Sequence, residues 1–600
     1  MLAFCNISGE GLIVGSFAIL KDFFRRHAWR YAAGILCLVF VDFLQLFVPK
    51  ILGQLTDDLS KGVLTGASLW RYVGIMAGLA VLISIGRYAW RMLVMGAARL
   101  LDYDLRNRLF THLESLSQNY FNNRKTGDLM AHATNDVGAV RQAFGQGIVM
   151  TVDAGFLIVI VIAIMIGMDW RLTVTALLPL PFLAAVVAGF GRVIHNRFKK
   201  VQEAFSSLTD RAQEDFAGIR VIKAFVQEKH EIGNFTQVNR HYLDRNMSLV
   251  KVWGLFGPLV QFISALSFVI VLGYGSRLVM DGTITLGDFV AFNGYLRLLM
   301  WPMMAIGFVI NLVQRGAASM ARLSAIFQEK PEITDAPDVA PISALSGGIE
   351  FRHLTFTYPG TSTPALKDIN LVIPEGKTLA IVGRTGSGKT TLANLILRLY
   401  NPAPGRLLID GIDILQLPIN VLRKDIGYVP QDNFLFSATV AENVAFGGDG
   451  FRQEEVEGAS RIAQVHDNIM DFPEGYRTLV GERGVTLSGG QKQRVSIARA
   501  VIKNPKILIL DDCLSAVDTN TEELILKRLR DVMATRTSII ISHRISTIQR
   551  ADEIVVLDDG LIVERGTHDE LIAANGLYTD IYRKQLLEEE LEAQEAGGGR

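Results

Sequence analysis

The residues Gly383-Arg384-Thr385-Gly386-Ser387-Gly388-Lys389-Thr390, with Thr391 directly behind them, space glycines, a lysine and a hydroxyl as a loop that can cradle phosphate. In such a loop the backbone N–H groups of Gly386, Gly388 and Lys389 wrap a β-phosphate at the start of a helix. The Lys389 ammonium neutralises β and γ oxygens, and the Thr390 hydroxyl ligates Mg2+. The flanks suit this chemistry, because the apolar strand Leu379-Ala380-Ile381-Val382 precedes the loop and the helical run Leu392 to Leu397 follows it. A second apolar strand, Ile507-Leu508-Ile509-Leu510, closes on two adjacent carboxylates, Asp511 and Asp512.

These residues need a sheet to hold them, and the sequence from Gly348 to about Tyr582 supplies one. Apolar runs of strand length, Ser538-Ile539-Ile540-Ile541 among them, alternate with helical segments, which predicts an α/β domain with a largely parallel core sheet at 348–582. Ahead of it, residues 328–347 carry Pro331, Pro337 and Pro341 with Ser343, Ser346 and Gly347 and are expected to form a linker.

The first half has a different texture. Over 600 residues the hydrophobic fraction is 50% and the charged fraction 20%, and the mean hydropathy is +0.28, too apolar for a wholly soluble chain. Six runs of bilayer-crossing length are expected near 31–53, 70–96, 147–168, 171–192, 253–275 and 286–313, giving an α-helical polytopic membrane domain at 31–327. Residues 1–30 form a cytoplasmic N-terminal segment and elbow, since Lys21, Arg25, Arg26 and Arg30 lead into the first run. The connectors 97–146 and 193–252 are long and rich in Arg and Lys, whereas those near 54–69, 169–170 and 276–285 are short. The former belong inside and the latter outside. The inner connectors keep helical periodicity, so the membrane helices continue below the bilayer and turn near Thr126-Gly127-Asp128 and Glu214 to Gly218.

Lys and Arg total 60, as do Asp and Glu, so no basic surface suggests a nucleic-acid partner. Cys5, Cys37 and Cys513 have neither disulfide nor zinc spacing. Met1 to Ser16 lacks a basic cluster and a small-residue cleavage site, which argues against a removable leader. The tail at 583–600, with Glu588, Glu589, Glu590 and Glu592, is acidic and expected to be disordered.

Leu487-Ser488-Gly489-Gly490-Gln491, followed by Lys492-Gln493-Arg494, adds the most specific motif. With it the chain resembles an ABC exporter half-transporter of the type IV fold over roughly 20–582: six membrane helices fused to one nucleotide-binding domain that uses ATP and Mg2+. The resemblance implies two such domains stacked head to tail, each signature closing over the γ-phosphate held by the other chain. Physically, Ser488 and the amides opening a helix offer donors and a positive dipole end to an anion. Carried over by residue, Tyr358 matches the aromatic that stacks on adenine and Gln431 the glutamine that senses Mg2+ and water. Asp511 matches the Mg2+ carboxylate, Asp518 the loop that signals across the dimer and His543 the γ-phosphate switch. Glu482 resembles a segment that meets the cytoplasmic turns of the membrane domain, here near Asp128 and Asp215.

One residue departs from that pattern. Asp512 stands where the family has the glutamate that orients the attacking water. It keeps the charge and withdraws the carboxylate by one C–C bond. An impaired base beside an intact signature resembles the degenerate-site subunit of heterodimeric bacterial multidrug exporters. The expectation is therefore a multi-pass inner-membrane subunit with both termini and the nucleotide-binding domain in the cytoplasm. It pairs with a half-transporter that carries the glutamate and moves amphipathic small molecules. Two alternatives stay open at this point, a homodimeric lipid or lipopeptide flippase and a non-exporting ATP-gated regulator. Asp42, Gln45, Arg87, Arg91, Asp153, Asp288 and Arg297 are polar within the membrane runs and are expected to pair or to face a cavity.

Overall fold

The computed structural model describes residues 17–597 apart from 449, 482–483, 485–486, 516 and 518. Glu482 and Asp518 therefore lie outside the described residues. The chain forms two compact units: residues up to 114 with 126–329, and 115–125 with 330 onward.

The first unit is helical. Among the described residues, five helical stretches are long and apolar enough to cross a membrane: Lys21–Ser60, Gly66–Ser115, Thr126–Met168, Glu228–Met280 and Leu286–Gln328. Trp170–Leu177 and Pro179–Ala217 occupy the place expected for a further span. The 43 residues of Leu286–Gln328 would measure about 65 Å at 1.5 Å per residue, roughly twice the thickness of a hydrocarbon core. Their ends follow local chemistry. Thr65 and Thr285 close capping boxes with Ser68 and Asp288. The break at Leu46 precedes Pro49, whose nitrogen carries no N–H to donate to a carbonyl one turn back. Asp57 accepts from Gly287 N and Thr285 Oγ1, both at 2.7 Å, and pins one helix to the start of another. A Cβ on Gly287 would lie 2.2 Å from Gly53 O, so glycine there permits the close helix approach. Of the membrane polar residues, Gln45 donates to Asp42 Oδ1 at 3.3 Å and Arg87 to Gln45 Oε1 at 3.4 Å, a chain across two helices.

Two boundaries differ from the sequence reading, and the first apolar run, near 31–53, lies within the helical stretch Lys21–Ser60. The helix that carries it begins at Lys21, because the basic residues Arg25, Arg26 and Arg30 are good helix formers and no breaker separates them from the apolar run. The segment 115–125, read as part of the membrane domain, packs with the second unit. The expected disordered tail is helical: Leu577–Gly597 forms one helix across residue 582, since Leu, Glu, Gln and Ala favour helix and Tyr578 anchors its start at 0% exposure.

The second unit contains ten strands among its described residues: β1 (Ile349–Phe356), β2 (Leu366–Ile373), β3 (Thr378–Gly383), β4 (Leu407–Ile409), β5 (Ile412–Asp413), β6 (Ile426–Val429), β7 (Ile507–Asp511), β8 (Thr537–Ile541), β9 (Glu553–Asp558) and β10 (Leu561–Gly566). One sheet is antiparallel, ordered β2-β1-β4-β5. The other is ordered β10-β9-β3-β8-β7-β6, and every neighbouring pair from β9 to β6 is parallel. The residues of β7 and β8 are buried throughout, as an apolar strand covered on both faces requires.

Candidate functional site

The strand order explains why residues far apart in sequence share one edge. β3, β8, β7 and β6 are consecutive and parallel, so their carboxyl ends lie together, where such sheets bind ligands. Register fixes the heights: Ile381 pairs with Ile541, Asp511 with Ile541 and Leu510 with Val429. The phosphate loop thus leaves β3 beside His543 after β8, Asp511 and Asp512 at the end of β7, and Gln431 after β6. The structure brings Gly383 to Thr390, Asp511, Asp512 and His543 together; Gln431 is exposed at the far side of the group.

The loop has the backbone its glycines predict. Gly386 and Gly388 have φ +85° and +101°, a region that side chains avoid, and a Cβ on Gly388 would lie 2.7 Å from Ala365 O. Lys389 opens the helix Lys389–Ile396 and is buried. Its Nζ donates to Gly383 O at 2.9 Å and Arg384 O at 2.8 Å, so the loop carbonyls hold the ammonium. Burial lowers the Lys389 pKa, and the Asp511 and Asp512 charges oppose that shift. Arg384 and Thr385 are exposed at the loop tip, whereas Ser387 is buried with its hydroxyl unpartnered among the described residues.

Asp511 is 1% exposed. Burial raises its pKa, while a hydrogen bond with Thr390 and the Lys389 charge lower it. One Asp511 oxygen nevertheless has no hydrogen-bond partner among the described residues. A buried carboxylate with a free oxygen, bonded to a hydroxyl at the phosphate loop, fits a hard cation that takes oxygen ligands, so Thr390 and Asp511 suit Mg2+. Asp512 follows at φ +45°, a conformation aspartate tolerates better than most side chains. Its N–H donates to Ile541 O at 2.8 Å, and its carbonyl accepts from Ser515 Oγ at 3.1 Å. Burial and the Lys389 charge lower the His543 pKa, with Asp512 opposing, so the imidazole is held toward its neutral form.

Ser488 caps the helix Gly489–Val501: its Oγ accepts from Gln491 N at 3.3 Å, and its N–H donates to Gln491 Oε1 at 2.9 Å. The hydroxyl donates to no group among the described residues. Leu487 is buried beneath, and Ser488 and Gly489 are exposed, with Gly490 and Gln491 half-buried. Arg494 fixes the same turn by donating to Gly490 O at 3.3 Å and Asn468 Oδ1 at 2.8 Å.

Several supports were not visible in the sequence. The His543 loop is clamped by Gln585 of the C-terminal helix: Ile545 N donates to Gln585 Oε1 at 2.9 Å, and Gln585 Nε2 donates to His543 O. Buried Glu522 accepts from Arg544 and, at 2.6 Å, from Thr547 Oγ1. Tyr358 is half-buried, packs edge-on to Phe356 and Tyr400 at 5.1 Å each, and donates to Thr391 Oγ1 at 3.0 Å. Asn122 donates to Tyr400 OH at 2.7 Å, so the 115–125 turn reaches the same aromatic group. Of the proposed coupling residues, Asp128 is exposed on Thr126–Ala131, and Asp215 pairs with Arg211 at 3.5 Å. Beside Asp215, Phe216, Val221 and Phe225 are exposed. Cys513 is inert, its thiol pushed up to about 12 by burial.

Residues 31–303 match the ABC transporter transmembrane region family, and residues 366–515 match the ABC transporter family. The chain is 41% identical over 587 residues to the probable multidrug resistance ABC transporter ATP-binding/permease protein YheI of Bacillus subtilis (strain 168), covering 97% of this chain and 100% of that one. It is 34% identical over 568 residues to the ATP-dependent lipid A-core flippase of Syntrophus aciditrophicus (strain SB), covering 94% of each. Among solved structures it resembles a bacterial Atm1-family ABC exporter with ATP bound, with a TM-score of 0.73 and 28% identity over 94% of this chain and 99% of that one.

Proposed function

The chain belongs to the ABC transporter family, as an exporter that joins a helical transmembrane domain to an ATPase domain, and from that premise we propose that it is one half of a heterodimer whose own site binds ATP but hydrolyses it slowly. The observation that carries this reading is Asp512, standing among otherwise complete machinery within electrostatic reach of Lys389 and His543. In this reading Lys389 and the loop amides hold the β and γ phosphates, and Tyr358 supports the adenine. Thr390 and Asp511 hold Mg2+, which when bound neutralises charge on the phosphate oxygens, and Gln431 reads its water shell. A water oxygen bonds to the γ-phosphorus as the β–γ bridge breaks. His543 hydrogen-bonds a γ oxygen, and the carboxylate at 512 orients the water and takes its proton. A carboxylate set back by one C–C bond does this last task poorly and leaves binding intact.

Ser488 to Gln491 then complete the site of a partner that carries glutamate, and Asp518 signals between the two. We place both termini and the ATPase domain in the cytoplasm, with six membrane spans. The turns around Asp128 and Asp215 couple the spans to ATPase domains through the Glu482 segment. The cargo is an amphipathic or otherwise hydrophobic compound, in keeping with the multidrug resistance named for the Bacillus subtilis relative. A homodimeric flippase with two slow sites is the second reading, favoured by the lipid A-core flippase relative. The test is ATP bound per chain and turnover, measured together on the purified protein in lipid. Near-stoichiometric binding with little phosphate release supports the proposal, and brisk release by the chain alone overturns it.

A further inference from the structure

The helices Pro179–Ala217 and Glu228–Ile270 pack against each other, and their contacts step in opposite directions: Phe190 meets Phe256, Arg197 meets Ser248 and Phe205 meets Tyr242. Between them Val193, Asn196, Arg197, Lys200, Arg245 and Ser248 line a cleft of about 360 Å³. The lining holds three cations and no carboxylate. Arg197 is half-buried and donates to the carbonyl of Ser248 at 3.1 Å and to its hydroxyl, which fixes the guanidinium at the cleft wall. Lys200 and Arg245 are exposed, and neither pairs with a carboxylate among the described residues. Arg245 Nε meets His241 Nε2 at 3.4 Å. Nearby, Glu203 is taken by Lys199 at 4.0 Å. Asp244 precedes Arg245 and does not line the cleft.

The depth of the cleft follows from the same pairing. Both helices change from apolar to basic at one level, Arg192 on one and Trp253 on the other, five residues from the Arg197–Ser248 contact. Five residues rise about 7.5 Å, which is the thickness of a headgroup layer outside the hydrocarbon core. Trp253, 56% exposed, marks that boundary as interfacial tryptophans do. Two guanidiniums and an ammonium at this depth have the geometry and charge to hold a phosphate oxyanion.

We propose that this cleft binds the phosphate of an anionic phospholipid headgroup in the leaflet on the basic side of the membrane helices. The site is separate from the ATP site and does not depend on which compound is exported. The basic residues just beyond the apolar runs of the two helices are thereby neutralised by the bilayer itself, and the lipid staples the pair together at the point where they leave the membrane.

The test is titration of the purified full-length protein with phosphatidylglycerol, counting bound lipids by native mass spectrometry. The wild type is compared with Lys200→Gln/Arg245→Gln, whose residues are exposed and leave the Arg197–Ser248 contact in place. A control, Arg220→Gln/Lys223→Gln, removes equal charge on the distant turn. The expected result is a first phosphatidylglycerol held about tenfold more weakly by the cleft variant, with the control unchanged and millimolar inorganic phosphate unable to displace the lipid. Equal binding in all three proteins, or equal loss in the control, overturns the site. Displacement by inorganic phosphate overturns the lipid as its occupant.

Discussion

Replacing Asp512 by glutamate should raise activity and lower stability at once. The extra methylene advances the carboxylate by about 1.5 Å, one C–C bond. Misplacement on the order of 1 Å costs about 10²-fold in rate, or roughly 2.7 kcal/mol of barrier at 1.36 kcal/mol per decade. Residue 512 sits at φ +45°, where aspartate is tolerated better than glutamate, so the variant should lose up to about 1 kcal/mol of stability. Lys389, Thr390 and Asp511 are untouched, so ATP affinity should change by less than about threefold, under 1 kcal/mol. The assay is steady-state phosphate release by the purified chain in lipid, with melting curves, for the wild type, Asp512→Glu and Asp512→Asn. The expected order is Glu fastest by about 10²-fold, with wild type close to the asparagine floor. A wild type as fast as the glutamate variant, or a glutamate variant that binds ATP, pairs with a second copy of itself and is still no faster, contradicts this assignment of Asp512.

In the Asp512→Glu background, Gln585→Ala should lower turnover by about tenfold with ATP affinity kept, because it removes two hydrogen bonds that clamp the backbone around His543; kcat and the ATP binding constant read this directly. Asp511→Asn should abolish the stabilisation that Mg-ATP gives, yet stabilise the nucleotide-free protein near pH 7, because a neutral amide is spared the desolvation cost that burial puts on the carboxylate. The sign follows from the raised Asp511 pKa: the folded state disfavours the ionised form, so the gain is present above that pKa and vanishes as pH falls through it toward 3.8. Melting temperatures across a pH series test both parts. Asn122→Ala and Tyr400→Phe break the same 2.7 Å hydrogen bond, so each should cost about 1 kcal/mol and the double variant much less than their sum; denaturant unfolding of all three closes that cycle.

What the sequence carried was local or periodic. The loop at 383–390 is contiguous, so its glycines announce their own backbone, and Gly386 and Gly388 take positive φ as such a turn requires. The apolar alternation after residue 348 foretold a parallel sheet, which strands β3, β8, β7 and β6 form. Their order, which brings His543 between the phosphate loop and Asp511, depends on pairing over more than a hundred residues and leaves no local mark. For the same reason Asn122 meeting Tyr400, and Gln585 reaching the His543 loop, could not be foreseen: each is an ordinary polar residue until the fold supplies its partner. The C-terminal helix was missed because a run of glutamates looks solvated and repulsive. Helix propensity and the buried Tyr578 outweigh that repulsion.

Asp512 beside an intact signature calls for a different half-transporter as the working partner of this chain. The most direct test of that pairing is isolation of the chain from its native membranes in mild detergent, with the mass and composition of the intact complex measured. The expected complex holds one copy of this chain bound to one copy of a second ABC half-transporter that carries glutamate at the position matching Asp512. A complex of two identical copies that transports on its own would contradict it.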